Sequence, residues 1–218
     1  MAGPDTDEGL DDATLIVQSR RDPERFAALF DRHAAEIHRY LARRVGHDSA
    51  DDLVAETFLI AFRQRDRYDE SRLTARPWLY GIATNLLGRH RRQEIRFFRA
   101  FARIGADPAV LNGLGQSPLQ PGDPLAERVT ERVAAEGVRK QLAAALAGLH
   151  KADRDVLLLV AAADFSYQEV ALALGIPVGT VSSRLARARR TIRKALGGVD
   201  PTDGNDGPAG GKEDLRHE

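Results

Sequence analysis

Cysteine is missing altogether from this 218-residue chain. That excludes disulfides, thiolate zinc sites and a cysteine nucleophile within it. Long apolar runs are missing too. The longest, residues 156–163, falls well short of the roughly 20 residues that a membrane-spanning helix needs, so no direct membrane insertion is expected. The first 20 residues are acidic and lack the apolar stretch of a secretory signal. Together with the absent cysteines this predicts a cytoplasmic protein. Aromatics make up only 6% of the chain, so the core must be aliphatic. There is no Walker loop, no H-E-x-x-H and no G-x-S-x-G. Neither an enzyme nor a cofactor is expected. The histidines His33, His38, His47, His90, His150 and His217 are scattered and suggest no metal site.

Net charge is also lacking, with 32 basic and 32 acidic residues. The balance hides a segregation. Acids gather at the N-terminus (Asp5, Asp7, Glu8, Asp11, Asp12) and in the tail (Asp200, Asp203, Asp206, Glu213, Asp214, Glu218). Two basic stretches lie between: Arg89, Arg91, Arg92, Arg96, Arg99 and Arg103, then Arg184, Arg187, Arg189, Arg190, Arg193 and Lys194. Such blocks suit a polyanionic partner better than the average does.

What the chain has in abundance is Ala, Leu and Arg, all strong helix formers. No strand and no repeat stand out, and the spacing predicts an all-α protein. Residues 1–20 read as an acidic lead in which Leu15, Ile16 and Val17 could form a short helix. Phe26, Leu29, Phe30, Ile37, Tyr40, Leu41 and Val45 recur at helical steps up to Gly46. His47, Asp48 and Ser49 offer a turn and a cap before a second helix at about residues 50–66, with Asp51 and Asp52 in its first turn. Pro77 can open a third helix. The Gly- and Pro-rich segment around residues 105–124 reads as a linker. Two small helical domains follow from this, residues 21–96 and 126–197, joined by a flexible linker at 97–125 and trailed by a disordered acidic tail at 198–218.

The second unit carries the sharpest local pattern. Ser166 and Glu169 form a capping box. A short helix with Val170, Ala171 and Leu174 stops at Gly175, and Ile176 to Gly179 make a tight connection. Thr180 can cap a second helix to about residue 196, with Val181, Leu185, Ala188 and Ile192 inward and Ser182, Ser183, Ala186, Arg187 and Arg190 outward, and Arg184 at the edge of that outer face. Helix, glycine turn and helix are the parts of a helix-turn-helix. Small polar residues at the start of such a helix can approach base edges, and arginines can reach bases or phosphates. An ordinary amphipathic helix with a solvated arginine face is the plainer alternative.

Three stretches together resemble the bacterial sigma-70 family of RNA polymerase sigma factors, in its small extracytoplasmic-function group. The first is Asp51-Asp52-Leu53-Val54-Ala55-Glu56-Thr57-Phe58, similar to the family's D-x-x-x-E-x-F helix. The second is Pro77-Trp78-Leu79-Tyr80-Gly81-Ile82-Ala83-Thr84-Asn85, similar to its W-L-x-x-I-A-x-N segment. The third runs from Asp155-Val156-Leu157-Leu158-Leu159 through Phe165-Ser166-Tyr167-Gln168-Glu169-Val170-Ala171 to Gly179-Thr180-Val181-Ser182-Ser183-Arg184.

The resemblance implies an alternative sigma factor whose two domains bind core RNA polymerase, on the β′ clamp and the β subunit, and direct initiation at promoter DNA. It implies core-polymerase contacts from Asp51, Asp52, Leu53, Glu56 and Phe58. It implies −10 contacts from Tyr68, Arg72, Arg76, Trp78, Asn85, Arg89 and Arg92, with Arg89, Arg91 and Arg92 on phosphates. It implies −35 contacts from Thr180, Ser182, Ser183, Arg184, Arg187 and Arg190. Many relatives carry a basic residue at the position of Ser182 and a bulkier one at Ala186, which moves weight to Arg184 and Arg187. An anti-sigma partner is also implied.

Other readings stand beside these. The acids near residue 51 could serve only the helix dipole, or a metal. Trp78 is either a stacking platform or a core residue. Phe97, Phe98, Arg99, Phe101 and Arg103 could line an RNA path, contact DNA or cover apolar surface. A conventional helix-turn-helix regulator with an N-terminal dimerisation or ligand domain is the alternative function, and it leaves the first two motifs unaccounted for.

Overall fold

The computed structural model describes residues 9–103 and 124–197. The acidic stretch before residue 9, the core of the expected linker and the acidic tail lie outside those residues. Nine α-helices occur among them, with no strand.

Asp11 starts the first helix by accepting a 2.7 Å hydrogen bond from Thr14 N. Helix α1, Asp12–Ser19, then buries Leu15 and Ile16 completely. Burial of each is worth about 1.5–3 kcal/mol. Residues 12–19 are therefore a packed helix, where composition alone suggested a loose lead. A 3-10 turn at Pro23–Phe26 leads into α2, Ala27–Val45, which buries Leu29, Ile37, Tyr40, Leu41 and Val45. Phe30, expected on that inner stripe, is 44% exposed.

Gly46 sits at φ +87°, where side chains are strongly disfavoured. It ends α2 and is also the cap residue of α3, His47–Gln64. No separate turn intervenes, and no side chain caps α3. This corrects the expected cap at residues 47–49. Only Asp48 lies in the first turn, so Asp51 and Asp52 are too far along for the helix dipole to be their main reason.

Helix α4, Arg76–Arg89, has Pro77 in its first turn, and α5, Arg91–Arg103, follows a break at His90. Residues 97–103 thus continue a helix rather than open a linker. The second unit comprises α6, Pro124–Gly148; α7, Lys151–Ala163; α8, Tyr167–Leu174; and α9, Val178–Ala195. The capping box at Ser166 and Glu169 is present, and Gly175 terminates α8 at φ +63°. Helix α9 starts two residues before Thr180, because Pro177 is its cap residue. Its inward set is as expected: Val181, Leu185, Ala188 and Ile192 are all buried.

The two units pack against each other, and one apolar cluster runs through both. Helix α5 lies along α6, and α4 lies under α8. Tyr80 meets Phe165 with ring centroids 4.8 Å apart. A Cβ added to Gly81 would fall 2.4 Å from the carbonyl oxygen of Ala173, so only glycine permits this approach. This cover explains why α4 is apolar nearly all round.

Buried charges cross the same boundary. Arg44, on α2, donates from Nε to Glu94 (2.6 Å), and from its terminal nitrogens to Tyr40 Oη (2.5 Å) and Asp155 (2.5 Å). Arg154, on α7, donates to the other oxygen of Glu94 (2.8 Å) and to the carbonyls of Leu146 and Leu149. Lys151 completes the cluster with a 2.5 Å bond to Asp155. Such groups leave water only because nearly every donor finds an acceptor. Arg154 Nε is an exception, and an unsatisfied buried donor costs about 1–3 kcal/mol.

Candidate nucleic-acid and partner surfaces

The acidic surface lies on α3. Leu53 and Phe58 are buried, and with Val54 and Ala61 they fix the helix to the core. Asp51 and Asp52 point outward, and Glu56 is half-exposed. Asp51 is 3.1 Å from His38 Nε2, and Glu56 is 3.7 Å from Arg89. The structure therefore separates the five residues of the sequence motif into two inner ones that anchor and three outer ones that can meet a partner. Leu59 shares the outer face and is 47% exposed. Sequence reasoning missed it, although a helical wheel places it beside Asp51, Asp52 and Ala55. No group of three metal-ligating side chains occurs among the described residues.

The second surface surrounds the loop before α4. Tyr68 is buried, and its Oη lies 2.6 Å from the carbonyl of Arg72 and 2.9 Å from that of Thr74. It shapes the loop rather than facing solvent. Asp69 accepts from Ser71 and from Arg72 Nε, closing a tight turn. Trp78 is half-buried against Tyr68, with centroids 5.0 Å apart. Leu73, at the loop apex, is 68% exposed. No sequence pattern singled it out. Asn85, Arg89 and Arg92 are all exposed. Arg89, Arg91, Arg92 and Arg96 line one open concavity with His90 and Gln93. Arg76 is held instead at the boundary between the units. It bonds Glu36 (3.1 Å) and the carbonyl of Ala163, and stacks over Phe165 at 4.3 Å.

A chain of charges backs this loop. Asp12 of α1 bonds His33 Nε2 (2.8 Å), His33 Nδ1 bonds Glu36 (3.0 Å), and Glu36 bonds Arg76. Burial opposes a charged His33, but its hydrogen bonds to Asp12 and Glu36 outweigh that, and its pKa is held up to about 9. A raised folded pKa adds stability that is complete below the ordinary value of 6.5 and lost as pH rises to about 9. The melting-temperature advantage of the wild type over His33→Gln should therefore be full below pH 6.5 and vanish by about pH 9. A constant difference across that window, measured by circular dichroism, would contradict a charged His33.

The third surface is the outer face of α9. Ser182, Ser183, Ala186, Arg187 and Arg190 are exposed, whereas Thr180 and Arg184 are half-buried. Ser182 and Ser183 return their hydroxyls to the carbonyls of Val178 and Thr180. Arg187 makes a two-pronged ion pair with Asp153 of α7, both bonds 2.7 Å, while its side chain stays 58% exposed. The Arg187 guanidinium holds the Asp153 carboxyl below the usual carboxylate range.

Two helical units, one with an acidic helix face and one with a helix-turn-helix whose outer face is basic, define a protein of the DNA-binding class. The family descriptions "Sigma-70 region 2" and "Sigma-70, region 4" match residues 29–97 and 139–192. The RNA polymerase sigma factor NccH of Alcaligenes xylosoxydans xylosoxydans is 30% identical over 194 residues, covering 88% of this chain and 97% of that one. The ECF RNA polymerase sigma factor SigL of Mycobacterium tuberculosis is 34% identical over 170 residues, covering 78% and 87%. Among solved structures, CnrH in complex with the cytosolic domain of CnrY has the same fold, with a TM-score of 0.54 and 23% identity over 85% of this chain and 97% of that one. The chain belongs to the sigma-70 family of RNA polymerase sigma factors, in the extracytoplasmic-function group. It is an alternative sigma factor, a regulatory protein that directs transcription initiation at promoter DNA together with RNA polymerase. No helix among the described residues is long and apolar enough to cross a membrane.

Proposed function

We propose that this sigma factor divides its work among the three surfaces, in the cytoplasm where polymerase acts. The outer face of α3, with Asp51, Asp52, Glu56 and Leu59, docks on the β′ clamp of core polymerase. The loop at residues 68–76, with Asn85, Arg89, Arg91 and Arg92, reads the melted −10 strand. The outer face of α9 reads the −35 duplex while its domain rests on the β subunit. An anti-sigma protein that competes for these surfaces belongs to the same proposal.

The observation that carries it is α9. Its four inward residues are buried, and its outward residues, apart from the small Ala186, form a polar and basic face suited to a major groove. The packing of the units supports a further point. Arg76 is engaged across the boundary, and α8 covers α4. With α4 and Arg76 engaged in this way, the free factor should reach full promoter affinity only when core polymerase separates the units and frees the −10 surface. Run-off transcription on a genomic library, with purified core polymerase, tests this. Transcripts should appear only with both components and should share a −10 and a −35 element. Nanomolar promoter binding by the factor alone, with no added transcripts, would instead favour a conventional regulator.

A further inference from the structure

The loop at residues 68–76 carries no regular ladder of its own, yet its backbone is tied down from outside. Asp12 N–H donates to the carbonyl of Leu73 (3.2 Å), and Asp12 Oδ2 accepts from Ala75 N–H (2.8 Å). The same oxygen lies 2.8 Å from His33 Nε2 and 3.5 Å from the Thr74 hydroxyl, and the other oxygen lies 3.2 Å from Arg32. Asp12 is only 7% exposed. One residue of α1 thus grips both the apex of the loop and its last residue before α4. The Leu73 side chain remains exposed while its backbone is fixed.

Burial alone would raise the Asp12 pKa, but the bonds from His33 and Ala75 hold it below the usual carboxylate value. The carboxylate therefore stays charged, and a charged acceptor makes the stronger hydrogen bond. Sequence gave no hint of this, because residue 12 lies outside every recognised motif and 63 positions from Ala75.

We propose that Asp12 is a positioning residue for −10 recognition, which sets the backbone of the reading loop before any base arrives. A base drawn from the duplex must be met by groups already in place, since a loop that orders only on contact loses the affinity that ordering costs. The helix α1 thereby belongs to the DNA-reading apparatus although it need not touch DNA. This rests on the reading of residues 68–76 as the −10 reader.

The test uses the full chain with core polymerase and compares transcription from a cognate promoter with promoters changed at one −10 or one −35 base. A wrong base costs on the order of tenfold in the wild type. Asp12→Ala should lower initiation at the cognate promoter and bring the −10 penalty towards unity, with the −35 penalty and core affinity unchanged. Asp12→Asn, which keeps an oxygen for Ala75 N–H, should restore most of the −10 discrimination. A merely structural role would lower core binding and both penalties together, and that result overturns the proposal. Should Asp12→Ala fail to fold by circular dichroism, His33→Ala carries the test: the same selective loss supports the proposal and a uniform loss or no loss overturns it. Arg72→Ala and Asn85→Ala separate the two ideas. If neither changes the −10 penalty, the loop is not the −10 reader. If they change it and Asp12→Ala does not, only the role of Asp12 falls.

Discussion

Glu94→Gln should separate the two helical units while leaving each folded. Glu94 is the common counter-charge of Arg44 and Arg154, which are buried and belong to different units. Removing one partner from a buried ion pair costs about 3–5 kcal/mol. Opening gives up the bond between Arg44 and Asp155, but it returns both buried arginines to water and leaves Asp155 paired with Lys151 of its own unit. Opening is therefore the cheapest relief. Gly81→Ala should have the same outcome by a different route, since its new Cβ would strike the Ala173 carbonyl. Within α4 alanine is favoured over glycine by about 1 kcal/mol, so any loss must come from the boundary. Small-angle scattering should report a larger radius for both variants, and calorimetry should show two transitions. Transcription with core polymerase should survive in Gly81→Ala. An unchanged radius in both variants would mean that the packed arrangement is not the state of the free factor.

Charge reversal of Asp51 and Asp52 to lysine should strongly weaken polymerase binding without disturbing the fold. Both carboxylates are exposed, and surface substitutions away from special features usually change stability by about 0.5 kcal/mol or less. A complementary interface reacts more strongly. Juxtaposed like charges cost several kcal/mol, so affinity for core enzyme should fall roughly a hundredfold or more. Pull-down with core polymerase measures this, and melting curves check the fold. Arg190→Ala is the counterpart: core binding intact, promoter-directed transcription reduced. If the α3 variant still binds core and the α9 variant does not, the two surfaces have been assigned the wrong way round.

Local chemistry was readable in the sequence wherever neighbours a few positions apart decide the outcome. The capping box at Ser166, the glycine stops at Gly46 and Gly175 and the inner stripe of α9 all depend on such short spacings. What could not be read depends on partners far away. Asp12 and His33 are 21 positions apart, Arg44 and Glu94 are 50, and Arg44 and Asp155 are 111. The helical stripe of Ile37, Tyr40 and Leu41 turns Arg44 inward and Arg43 outward, but no local pattern supplies the distant acids that let a buried Arg44 keep its charge. The acidic lead misled for the same reason: Asp12 looks like surface charge until the donors that reach its carboxylate, Ala75 N–H and His33, are known. Within the candidate surfaces, residue types were legible but facing was only partly so. Leu53 and Phe58 turned inward, and Leu59 and Leu73 turned outward.

The ion pair between Arg187 and Asp153 bears on how the factor moves along a chromosome. If the α9 face reads DNA as proposed, each turn of Arg187 from Asp153 to a phosphate leaves that carboxylate without its partner beside a polyanion. That cost is the same whatever the base sequence. A uniform cost leaves the ratio of right to wrong sites unchanged but shortens the stay at each wrong one. With roughly 10⁶–10⁹ competing sites in a genome, brief wrong stays mean a faster search. The small helix face of α9 would then be tuned as much for leaving DNA as for holding it.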